Sequence, residues 1–167
     1  MNPDVEEIRQ GMSTLLAATR RETQQSFSGV EMDWSVQDDQ AGWRVRDVLG
    51  HLGVWNGEAA KSLLAFAEGG EYHCIPSEEK YDEYNAHAVD ERRSWDIQQV
   101  WDEYEASADQ LKVLVDSLPV VAWNRIMLYP WNERGVVRNL IEVMMQHEIE
   151  HRQWVSHAIA QIPSPTA

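Results

Sequence analysis

The segment His147-Glu148-Ile149-Glu150-His151 concentrates more chemistry than any other stretch of this chain. In a helix, residues four apart return to within about 40° of one line, so both imidazoles project from one face. That face continues through Leu140, Ile141, Met144 and Ala158, which turns the two rings toward a protein interior. One buried histidine is satisfied by a hydrogen bond, whereas two on one apolar stripe point to a shared task. His51 lies between Val48 and Trp55 at helical spacing, so a third imidazole can reach the same interior point. Three neutral imidazoles hold a divalent metal with open positions for water or substrate. Zinc or nickel suits them best, iron or manganese less well.

The same five residues also satisfy H-E-x-x-H and its inverse H-x-x-E-H, in which Glu148 or Glu150 would be the general base of a zinc peptidase. His157 falls at the third-ligand position of the extended pattern, but Trp154 stands where that pattern needs glycine. In a continuing helix His157 lies about 240° around from His151 and cannot share its face. No strand pattern supplies the sheet edge that aligns a peptide, so the peptidase reading ranks below the metal-centre reading. The glutamates have a second role open to them, orienting a ligand imidazole, and only one of the two can face inward. His73, His87 and His157 read as surface or loop residues.

These residues must be carried by helices. Asn2-Pro3 is a helix opening, and apolar residues then recur with helical spacing to Phe27. Ser28 to Gly42 reads as a loop pinned by Trp34 and Trp43, and a second helix runs from Arg44 to the Gly69-Gly70 stop. From Ser77 a charged region keeps helical spacing up to Pro119, with Ser94 to Asp96 as a candidate interruption. The stretch from Pro119 to Gly135 has no sustained period, and a last helix ends before Pro163. No convincing hairpin pattern is visible. The expected fold is all-α, an up-down four-helix bundle with a long crossover connection, in one domain over residues 1–167.

Composition narrows the partners. With 14 basic and 28 acidic residues the net charge is -14, which repels nucleic acid and anionic lipid. No apolar run approaches the roughly 20 residues of a spanning helix, and the N-terminus lacks the order of a secretory signal, so a cytoplasmic protein is expected. Cys74 is the only cysteine, which excludes an internal disulfide. Eight Trp in one small domain imply that some of them line a cavity.

The segment Trp43-Arg44-Val45-Arg46-Asp47-Val48-Leu49-Gly50-His51-Leu52 resembles the second-helix motif of the DinB-like, or YfiT-like, superfamily, and His147 with His151 resembles its paired metal histidines. Tyr81 to Asn85, with Arg92 and Ser94, is similar to the family's third-helix region. The likeness covers almost the whole chain. It implies a four-helix bundle with a three-histidine site, usually for nickel or zinc. It also implies kinship with transferases that use a low-molecular-weight thiol such as bacillithiol or mycothiol, and with a mycothiol-dependent maleylpyruvate isomerase.

The expected function is therefore a metal-dependent enzyme acting on a small electrophile, a thiol S-transferase or isomerase or a metal-water hydrolase. The alternative is a non-catalytic metal- or ligand-binding bundle of the stress-response type. Trp55, Tyr84, Asn85 and Arg92 are candidate pocket or cofactor contacts, and the sequence is compatible with a homodimer through one bundle face without specifying one. One consequence separates the two metal readings: His147→Ala should remove most bound metal and His157→Ala should leave metal content unchanged. Elemental analysis of both variants decides it, and metal loss in the second would restore the extended peptidase pattern.

Overall fold

The computed structural model describes residues 5–36 and 42–160. The expected helix opening at Asn2-Pro3 and the stop at Pro163 lie outside the described residues. Four long helices form the bundle: α1 (Val5–Phe27), α2 (Val45–Ala67), α4 (Ile97–Ser117) and α5 (Val137–Ala160), with a shorter α3 (Tyr81–Glu91) on the connection between α2 and α4. The charged region expected to continue to Pro119 is thus two helices. Asp96 breaks it, because its carboxylate accepts the Gln99 backbone N–H at 2.9 Å while the Gln99 side chain accepts the Asp96 N–H at 2.9 Å, a reciprocal cap that starts a new helix.

Side-chain neighbours fix the directions of the helices. Gly50, Gly53 and Gly57 of α2 lie against Val100, Tyr104 and Ser107 of α4 in the same order, so these helices run parallel. Ser13, Arg20 and Gln24 of α1 meet Asp116, Asp109 and Glu105 of α4 in reverse order, so this pair is antiparallel. One half of the core gathers Met12, Ala59, Leu111 and Leu140, and the other gathers Phe27, Val48, Val100 and Val155. Hence α1 and α5 run one way, and α2 and α4 the other. Parallel neighbours cannot be joined by a tight turn, and the long crossover through α3 returns the chain to the end where α4 starts.

The segment before α5 departs from expectation. Ile126–Leu128 (β1) and Arg134–Val136 (β2) pair as an antiparallel hairpin with Met127 opposite Gly135. Tyr129 donates its hydroxyl to the Val136 carbonyl at 2.7 Å, and a Cβ on Gly135 would stand 2.1 Å from that hydroxyl oxygen, so only glycine fits there. Three-residue strands show no alternation long enough to read. The hairpin is specified by anchoring: Met127 is buried, and the Ser62 hydroxyl of α2 donates to the Leu128 carbonyl at 2.5 Å.

The α2–α4 contact depends on absent side chains. At Gly53 a Cβ would lie 3.1 and 3.2 Å from the Cα and N of Tyr104, backbone atoms that can move only if the whole of α4 shifts. Alanine at this position gains up to about 1 kcal/mol in helix propensity but meets an overpacking penalty of about 1–3 kcal/mol. Gly53→Ala should therefore lower the melting temperature by about 2–6 °C in a thermal melt. An unchanged or higher value would show that the two backbones are not in essential contact.

Candidate metal centre

Helix α2 carries His51 and α5 carries His147 and His151, and the antiparallel packing of these helices brings the three imidazoles together. One ligand nitrogen from each lies within 4.8 Å of the others. His51 Nε2 is 3.0 Å from His147 Nε2, so without a metal one ring donates to the other. Nitrogens in a tetrahedral zinc shell stand about 3.3 Å apart, so this donor set fits a divalent ion after small adjustments. Ring centroids are 4.9 Å apart for His51 and His147, 4.8 Å for His51 and His151, and 4.5 Å for His147 and His151. Among the described residues His51 Nδ1 is buried without a hydrogen-bond partner, and its ring is held by its Nε2 contact and by Trp43 at 5.0 Å.

The environment keeps all three rings neutral, the form that ligates a metal. Burial, reinforced by His151, pushes His147 from an ordinary 6.5 down to about 3. Burial lowers His151 to about 4 against an opposing pull from Glu150. His51 is held well below its ordinary value by burial and then by His147 and His151.

A chamber of about 310 Å³ opens onto the imidazoles, walled by Trp43, Trp55, Tyr81, Asn85, Trp131, Val143 and Met144. A broader outer recess of about 1000 Å³ shares Trp43, Asn85 and His151 with it and adds Arg44, Asp47, Asp82, Arg93, Glu150 and Trp154. Trp55 donates its indole N–H to Asn85 Oδ1 at 2.9 Å, which ties α2 to α3 and sets one chamber wall. Tyr84 stands behind this wall with its ring 5.6 Å from Trp55, and burial raises its hydroxyl pKa. Burial and then Glu58 push the Cys74 thiol up to about 11, which makes it a poor nucleophile at neutral pH.

The other sequence-selected residues have different surroundings from those expected. Glu148 faces away from the imidazoles and accepts hydrogen bonds from Thr23 Oγ1 at 2.8 Å, Asn56 Nδ2 at 2.9 Å and Tyr104 Oη at 3.1 Å. It orients the helix and not a ligand ring. Glu150 borders the outer recess and accepts from the Gln146 amide at 2.9 Å. Arg92 does not line the chamber: its Nε and Nη2 each donate to a Glu103 oxygen at 2.5 Å, and its Nη1 donates to the Ala88 carbonyl at 2.7 Å. The helix continues through Trp154 to Ala160, and His157 is not among the three clustered histidines. Trp43, Tyr81, Trp131 and Val143 were not among the expected pocket contacts, although Trp43 and Tyr81 open the two segments that carry the family resemblance. Trp131 comes from the irregular segment, where no periodicity marks it, while Met144 shares the stripe of His147 and His151 and was readable as a neighbour.

A helical bundle with three convergent histidines under an open aromatic chamber has the donor set of a bundle metal site. Residues 15–155 match the family model of the DinB superfamily, and the chain belongs to that superfamily. An uncharacterised protein from Clostridium difficile 630 shares the fold with a TM-score of 0.74 at 13% identity, over 93% of this chain and 97% of that one. YfiT from Bacillus subtilis, described as a probable metal-dependent hydrolase with an unusual four-helix bundle topology, gives 0.70 at 15% identity over 96% and 91%. A mycothiol-dependent maleylpyruvate isomerase gives 0.68 at 17% identity over 87% of this chain. The present chain covers only 59% of that enzyme. At these identities the likeness is one of fold. No curated protein matches the chain in sequence. No described helix is long and apolar enough to cross a membrane.

The depressed histidines link site and stability. In the unfolded chain the rings take protons near 6.5, while in the folded chain His147 does so only near 3 and His151 near 4. The unfolded state therefore binds more protons across this window, and the histidine contribution to stability, complete above 6.5, is lost progressively as pH falls toward 3. In urea melts with chelator present, metal-free His147→Gln should lose less stability between about pH 7 and pH 4 than the parent protein. Equal losses would mean that His147 is not held neutral by the fold.

Proposed function

We propose that this protein is a metal-dependent enzyme in which His51, His147 and His151 hold one nickel or zinc ion. A low-molecular-weight thiol such as bacillithiol or mycothiol, or else water, would be the nucleophile toward a small electrophile in the aromatic chamber. The observation that carries the reading is the opening of the chamber directly onto three neutral imidazoles, which leaves coordination positions facing a space of about 310 Å³. A bound divalent ion lowers the pKa of a coordinated thiol or water.

The chain's own residues do the rest. Trp43, Trp55 and Trp131 exclude water and hold a flat substrate, and Trp55 is kept upright by its bond to Asn85. Glu150 borders the recess beside His151, which supports a role as acceptor of the proton lost by an incoming thiol or water. Tyr84 backs the Trp55 wall, Arg92 braces α3 against Glu103, and Glu148 holds the rotation of α5. The Cys74 thiol, raised by burial, leaves the nucleophile to be supplied from solution. A cytoplasmic, reducing setting would supply it, and a homodimer is compatible with this arrangement.

Elemental analysis of untagged protein, run beside His51→Ala checked by circular dichroism, should find about one nickel or zinc per chain in the parent and none in the variant. The metal-loaded parent should then turn over a thiol with an electrophile. Folded protein that takes up no stoichiometric metal, even after incubation with nickel or zinc, would overturn the reading in favour of a non-catalytic bundle.

A further inference from the structure

We infer, building on the metal-centre reading, that the chamber selects flat compounds that bear a carbonyl or amide, carry no positive charge and have at most one acidic group, and that it rejects dicarboxylates. Among the described residues no Lys, Arg, Asp or Glu lines this chamber. The two arginines that line the outer recess are ion-paired, Arg44 to Asp47 and Asp33, and Arg93 to Asp90. Two carboxylates stand behind the walls, and one of them, Glu58, is paired with Lys61 at 2.7 Å. Glu133 accepts the Trp131 indole N–H at 2.7 Å, and the Glu58 carboxylate lies within reach of Tyr84.

A carboxylate entering such a space loses its hydration and finds no fixed cation. The divalent ion itself changes this for one group only. Held by three neutral imidazoles, it keeps its full charge and can ligate one thiolate or carboxylate. A second acidic group on the same small molecule is left among aromatic rings, and an ammonium group is repelled by the ion. The rings of Trp43, Trp55, Tyr81 and Trp131 favour a planar body. Asn85 adds direction: its oxygen is occupied by the Trp55 N–H, so its amide N–H groups are the free side of the residue, suited to a carbonyl acceptor.

Three molecules of one shape test this by charge alone: terephthalamide, terephthalamate and terephthalate, which carry zero, one and two negative charges. Binding is read by tryptophan fluorescence and calorimetry on zinc-loaded and chelator-treated protein, with zinc content measured separately so that a failure of metal uptake is recognised as such. Zinc-loaded protein should bind the neutral and singly charged compounds at least about tenfold tighter than terephthalate. Chelator-treated protein should prefer terephthalamide. Val143 lines the chamber at 44% exposure, so Val143→Arg can supply a cation without burying it, and this variant should gain terephthalate binding. Asn85→Leu should weaken terephthalamide by about fivefold or more. The inference is overturned if terephthalate binds the zinc-loaded parent as tightly as terephthalamide does. It is also overturned if 4-(aminomethyl)benzamide binds tightest, if Val143→Arg gains nothing, or if no member of the series binds.

Discussion

Glu148 places one carboxylate at the meeting point of all four long helices. It belongs to α5 and accepts a hydrogen bond from Thr23 of α1, from Asn56 of α2 and from Tyr104 of α4. A carboxylate buried to 3% exposure is tolerated only with its lone pairs engaged, so any rotation of α5 about its axis would strand it. Successive helical residues are separated by about 100°, so pointing Glu148 at the bundle axis turns His147 and His151 onto the adjoining face, toward α2 and His51. The geometry of the histidine cluster is in this sense set from the adjoining face of the helix that carries two of its three members.

The second constraint is the parallel seam of α2 and α4. Gly53 lets the two backbones approach, and this contact holds Tyr104 where its hydroxyl reaches Glu148. Parallel neighbours oblige the chain to travel the length of the bundle between them. That return carries α3, and α3 supplies Tyr81 and Asn85 to the chamber wall. The long crossover is thus the source of one side of the site as well as a matter of connectivity.

The chamber combines three neutral imidazoles with aromatic walls and one amide, and among the described residues no Lys, Arg, Asp or Glu lines it. Of the charges in the outer recess, Arg44 is paired with Asp47 and Asp33, and Arg93 with Asp90. This separation suits chemistry in which an ion and a nucleophile meet a weakly polar electrophile out of reach of bulk water.

Periodicity alone made four helices legible, because apolar stripes of helical period report which face is buried whatever that face packs against. Two of the histidines could be paired in the same way, since residues four apart on one helix share a direction in any tertiary context. Local spacing carried no information about the neighbours of that face. The opposite orientation of Glu148, the commitment of Arg92 to Glu103 and the glycine seam depend on which helix lies alongside. The short hairpin is also invisible to periodicity, since its strands are three residues long and are held by Ser62 from a distant helix. Trp131 reaches the chamber through that hairpin's turn. The sequence by itself determined the helices and the inward face of His147 and His151. Only the tertiary structure decided what those faces meet, because long-range packing, and not local pattern, brings α2 against α5 and α3 over the chamber.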